Sequence, residues 1–96
     1  MGIQEIKIKI KGIEPLLKEK FRVKRIGIFG SYSRGEQRKS SDIDILVEFS
    51  VAPSLLKFIA MEKYLSEILG IKVDLVMKNS LKHYIGKRIL NEVIYV

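Results

Sequence analysis

The sequence has no cysteine and no tryptophan, and only one histidine and two prolines among its 96 residues. Without thiols the chain can form neither a disulfide nor a thiolate metal site, and a reducing, cytoplasmic setting is the expectation. No apolar stretch approaches the roughly 20 residues of a spanning helix. The N-terminus alternates isoleucine with lysine where a signal peptide would carry a continuous apolar run, so membrane insertion is not expected. There is no internal repeat, linker or low-complexity tail, and the length fits one domain over residues 1–96 with no room for a second core. The lone His83 falls at helical spacing near Lys82 and Lys87 and reads as a surface residue. Tyr32, Tyr64, Tyr84 and Tyr95 are too scattered to form a base-stacking stripe.

Charge is plentiful and unevenly placed. Residues 1–39 carry eleven Lys or Arg against four Glu, whereas residues 40–96 carry seven of each sign, so the whole +7 excess precedes the first aspartate. Such an excess permits attraction to phosphates or to an acidic protein and decides nothing between them. The lysines before residue 21 read equally well as a solvated helix face.

Hydrophobic spacing orders the chain. Ile3, Ile6, Ile10, Ile13 and Leu17 trace one helix face, although Ile6, Ile8 and Ile10 also alternate with lysine as a strand would. A helix over about 3–20 is expected, with a restart at 12–14 where Gly12 and Pro15 interrupt it. Val23–Phe29 and Ile43–Phe49 read as strands, and Ile71–Met77 as a third. Between the last two, Leu55 to Leu69 is helical, opened by Pro53-Ser54 and stopped by Gly70. A final helix is expected from Leu81 to Leu90 with Asn79 or Ser80 as its cap.

Two short segments carry chemistry. Gly30-Ser31 ends the first strand, and ten residues later Asp42-Ile43-Asp44 opens the second, with Asp74 in the third. An acid beside an apolar run is costly unless paired, protonated or metal-bound. Mg²⁺ supplies a reason for the grouping, because it takes carboxylate and phosphate oxygens together. Two ions about 3.5–4 Å apart would stabilise the attacking and leaving oxygens of an in-line displacement. Glycine permits close backbone approach to a triphosphate, and Ser31 offers a hydroxyl and an N–H where anions are favoured. Ser33 is a further donor, and Arg34, with Arg38 and Lys39, is placed to neutralise phosphate charge. A P-loop is excluded, since Glu36 follows Gly35 where a lysine must stand.

Taken together, "KRIGIFGSYSRGEQRKSSDIDILVEF" and "KVDLV", ending in "LKHYIGKRILNEVIYV", closely resemble the minimal nucleotidyltransferases of the DNA polymerase beta superfamily. The resemblance implies an α/β (α+β) fold, a small mixed sheet with helices packed mainly on one face. It carries Ser31 over as the triphosphate contact, Asp42 and Asp44 as paired metal ligands, and Asp74 as the third catalytic carboxylate. It also implies transfer of AMP from ATP to a tyrosine hydroxyl of a HEPN-type toxin, with this chain as the antitoxin in a hetero-oligomer. Transfer to RNA, a nucleotide or a small hydroxylated molecule stands as an alternative, and so does a non-catalytic antitoxin that only covers its toxin.

Overall fold

Pro15 decides how the N-terminal third folds. In the computed structural model, which describes the backbone of residues 1–96 and every side chain except those of His83 and Tyr84, α1 spans Ile3–Gly12 and α2 spans Glu14–Phe21. The expected restart falls at Ile13, which is both the C-cap of α1 and the N-cap of α2. Pro15 then sits in the first turn of α2, where its missing N–H costs nothing. The competing strand reading of Ile6, Ile8 and Ile10 fails on exposure: Ile6 and Ile10 are fully buried while Ile8 is 71% exposed. One helical turn separates the two buried residues, and Ile8 points outward between them. The surface reading of His83 lies outside the described side chains, as does the reading of Tyr84.

Arg22 ends α2 in the left-handed region at φ 57°. Its carbonyl accepts from the Ser50 N–H at 2.8 Å and the Ser50 hydroxyl at 3.1 Å, fixing the turn into the sheet. Strands β1 (Val23–Phe29), β2 (Ile43–Phe49), β3 (Val73–Met77) and β4 (Ile94–Tyr95) form one mixed sheet in the order β3-β2-β1-β4. β1 is antiparallel to both β2 and β4. β2 and β3 are parallel, joined through the crossover helix α4 (Leu55–Leu69). The Ser54 side chain accepts from the Lys57 N–H at 3.2 Å at the start of α4, and Gly70 closes it at φ 70°, both as expected.

Strand alternation divides the sheet into two unlike faces. Ile26, Ile28, Ile43, Ile45, Val47 and Val73 face α1, α2 and α4 and join their buried side chains in one core. α4 also protects the β3 edge. Its Ser66 hydroxyl accepts from the Val73 N–H at 2.9 Å and its Glu62 carboxylate from the Leu75 N–H at 2.8 Å, covering donors that an edge strand would otherwise leave open.

The C-terminal part departs from expectation in detail. β3 begins at Val73 rather than Ile71. Asn79 and Ser80 do not cap the last helix, because Lys78–Ser80 forms a 3₁₀ turn and α5 starts at His83 with Lys82 at its N-cap and no side-chain cap bond. β4 then pairs Gly27 with Tyr95. A Cβ on Gly27 would stand 2.7 Å from Val93 Cγ2, so the close crossing of the C-terminal segment requires glycine there.

Candidate active site

The sequence Asp-Ile-Asp-Ile is enough to sort acids from core. Ile43 and Ile45 are both fully buried on the helical side, so Asp44 between them must face the other way. Asp74 pairs with Asp44 in register across the parallel β2–β3 ladder, which puts both carboxylates on the same open face. Asp42, just before β2, completes the set. Asp44 is half-buried, whereas Asp42 and Asp74 are exposed. All three acids that the sequence singled out are therefore gathered at one end of one sheet face.

Their electrostatics show strain of like charges. Asp44 holds its proton above the ordinary carboxylate value, first because burial penalises its charge, then because Asp74 and Asp42 repel it. Arg34 opposes the shift and Glu92 adds to it. Lys72 approaches Asp42 at 4.0 Å with 80% of its side chain exposed, a contact too loose and too wet to neutralise the group. Among the described residues no group of three or more His, Cys, Asp or Glu side chains stands arranged to hold a metal ion. The set is open, and oxygens from a substrate and from water would have to complete a shell. That fits a hard divalent ion that keeps water and takes phosphate oxygens, and these three carboxylates are the residues that would hold it.

The turn after β1 lies against the same acids. Gly30 has φ 74° and ψ −150°, a conformation essentially confined to glycine. A Cβ there would collide with the Asp44 carboxylate. Both requirements explain why glycine stands at this position: the backbone bends sharply and passes directly against the Asp44 carboxylate. Ser31 opens the one-turn helix α3 (Ser31–Arg34) and is half-buried, while Tyr32 turns inward to the core. Ser33 donates its hydroxyl to the Gly30 carbonyl at 2.9 Å, so its hydrogen bond serves the turn itself.

Arg34 is held from two sides. Its Nε donates to Glu36 at 2.7 Å, and its Nη1 donates to both oxygens of Glu92 at 3.0 and 3.2 Å. These bonds hold its proton above the ordinary guanidinium value, Glu36 contributing most. Glu92 also accepts the Gly30 N–H at 3.0 Å. Sequence reasoning missed Glu92. One signal was available: a glutamate in the last turn of a helix meets the negative end of the macrodipole and needs a compensating partner elsewhere.

An acidic face over a mixed sheet, with a glycine-serine turn set against it, defines a protein that handles nucleoside phosphates. Residues 10–96 match the nucleotidyltransferase domain family, and the chain belongs to it, as a minimal nucleotidyltransferase. It is 53% identical over 96 residues to the protein adenylyltransferase MntA of Thermococcus cleftensis, covering 100% of this chain and 97% of that one. Its fold superposes on a solved minimal nucleotidyltransferase with a TM-score of 0.83 at 30% identity, covering 98% of this chain and 95% of the other. A chain from a toxin–antitoxin structure with AMP-PNP gives a TM-score of 0.75 at 28% identity, over 88% and 69% of the two chains.

Proposed function

We propose that this chain is a single-domain, Mg²⁺-dependent protein adenylyltransferase that moves AMP from ATP to a tyrosine hydroxyl of a HEPN-type toxin, and thereby acts as its antitoxin in the cytoplasm. The observation that carries the reading is the register of Asp44 opposite Asp74 on the open sheet face, with the Gly30 turn against Asp44. The relative named as a protein adenylyltransferase and the toxin–antitoxin neighbour with an ATP analogue support it.

The residues divide the work as follows. Gly30, Ser31 and the rest of the turn cradle the triphosphate, the glycine allowing the backbone close to the phosphates. Arg34, its charge met by Glu36 and Glu92, offers its remaining N–H donors at the edge of that cradle. Asp74, exposed on the open face, receives the proton of the incoming hydroxyl. The acceptor oxygen bonds to the α-phosphorus as the α–β anhydride bond breaks, and pyrophosphate leaves. Asp42, Asp44 and Asp74 would hold Mg²⁺ together with substrate and water oxygens, and the metal would supply the charge neutralisation that the attacking and leaving oxygens need, two ions being the arrangement expected.

The open face also suits a protein acceptor. Asp42 and Asp74 are exposed, so the acceptor side of the pocket has to be furnished by the partner. The lysines of α1 and α2 lie on helices that cover the opposite face of the sheet. This favours a solvated role for much of the basic excess over a track leading a nucleic acid to the aspartates.

Incubation with radiolabelled ATP, Mg²⁺ and a HEPN-type protein as candidate partner should leave AMP on a partner tyrosine, read by mass spectrometry. The Asp42→Ala/Asp44→Ala variant, shown to be folded, should leave none. Toxin neutralisation that survives in that variant would favour simple covering of the toxin and sink the enzymatic reading.

A further inference from the structure

We infer that Glu92, at the end of α5 (His83–Glu92), is a positioning residue of the nucleotide site, holding the Gly30–Ser31 turn and Arg34 in the geometry that receives the triphosphate. One carboxylate makes three bonds to two groups of that turn. It accepts the Gly30 N–H at 3.0 Å and the Arg34 Nη1 at 3.2 Å through Oε1, and Nη1 again at 3.0 Å through Oε2. The partners are 62 and 58 residues away in the chain, so the contact ties the last helix to the turn after the first strand.

The placement is costly without such a purpose. Glu92 is the final residue of its helix, where the macrodipole disfavours an acid. Only 21% of its side chain is exposed, and it stands near enough to Asp44 to add to the repulsion there. A leucine or lysine would suit the helix end better. The Gly30 N–H and Arg34 are what the carboxylate gains. With Arg34 bonded to Glu92 through Nη1 and to Glu36 through Nε, the guanidinium is biased toward this position and keeps Nη2 for another acceptor. Fixing a charged side chain before the ligand arrives removes an ordering cost from binding.

The inference rests on the proposed triphosphate role of the turn, and its test reads nucleotide binding rather than transfer, so no acceptor is needed. Isothermal titration of the full chain with ATP in excess Mg²⁺ would compare wild type with Glu92→Ala, Glu92→Gln and Glu19→Ala, a control on exposed α2. Glu92→Ala should weaken ATP about tenfold, the worth of one well-made hydrogen bond. Glu92→Gln keeps an oxygen for the Gly30 N–H and should recover most of that loss, a rescue that general destabilisation would not give. Glu19→Ala should leave affinity unchanged. Equal or tighter ATP binding by folded Glu92→Ala, or by Glu92→Gln should the alanine variant not fold, would overturn the inference. Failure of the wild type itself to bind ATP would overturn the nucleotidyl-transfer reading, and the inference with it.

Discussion

The two faces of the sheet are built from the same strands and obey opposite rules. Along β2, Ile43, Ile45 and Val47 vanish into the helical core, while on the far side Leu46 is buried but Asp44 and Glu48, flanking it, remain partly open. The helical face gains stability from every side chain it buries. The open face gives some up, since Asp44 is desolvated and crowded by two more carboxylates. A local loss of stability held in place by a well-packed core is how binding sites for cations are commonly kept ready.

The largest effect should come from substituting adjacent residues of β2. Asp44→Ala should lower nucleotidyl transfer by about 10³-fold or more, because charge stabilisation of several kcal/mol is lost at 1.36 kcal/mol per tenfold, while the melting temperature holds or rises. Ile45→Ala should do the reverse, costing about 2–5 kcal/mol by denaturant titration from a fully buried site, with transfer by the remaining folded molecules little changed. Equal stability losses in the two variants would break the comparison.

Gly30→Ala strains both the turn and the site. The backbone conformation alone should cost about 1–3 kcal/mol, and the new methyl would displace the Asp44 carboxylate. Both a lower melting temperature and weaker Mg·ATP binding are expected, where a substitution at Gly12, open on all sides, should affect neither site nor nucleotide.

The pH dependence follows from the sign of the Asp44 shift. Folded Asp44 binds its proton more tightly than the unfolded chain does, so its contribution to stability is complete below the ordinary value of 3.8. It is lost as pH rises through the higher folded value. In EDTA, wild type should therefore lose stability with rising pH across the weakly acidic range relative to Asp44→Asn, and at neutral pH the variant should melt higher. Adding Mg²⁺ should raise wild type and leave Asp44→Asn nearly unmoved. The smallest effect is expected far from the site: Arg22→Gly relieves a left-handed residue at φ 57° and should shift stability by about 1 kcal/mol or less, with ATP binding unaltered.

The same division explains what the sequence disclosed. Periodicity reports which face a side chain takes, so the alternation of aspartate with isoleucine at 42–45 was enough to place the acids opposite the core. Pro15, Ser54 and Gly70 act locally through backbone geometry, and the elements begin or stop where those residues stand. Contacts between distant polar groups leave no periodic trace. Glu62, Ser66 and Glu92 look like ordinary solvated helix positions, yet two cover the β3 edge and the third holds the Gly30 turn. The last helix also began later than expected, because Asn79 and Ser80 went into a 3₁₀ turn instead of capping it. Ser33 likewise looked like a phosphate donor and bonds inside its own turn.

Calorimetric titration of ATP into the folded chain, with and without Mg²⁺ and in the Asp42→Asn/Asp44→Asn variant, tests the acidic face most directly. ATP should bind wild type only when Mg²⁺ is present and should not bind the variant under either condition. Equal ATP affinity with Mg²⁺ and with EDTA, or full affinity in the doubly neutralised variant, would contradict the assignment of Asp42, Asp44 and Asp74 as the residues that hold metal and nucleotide together.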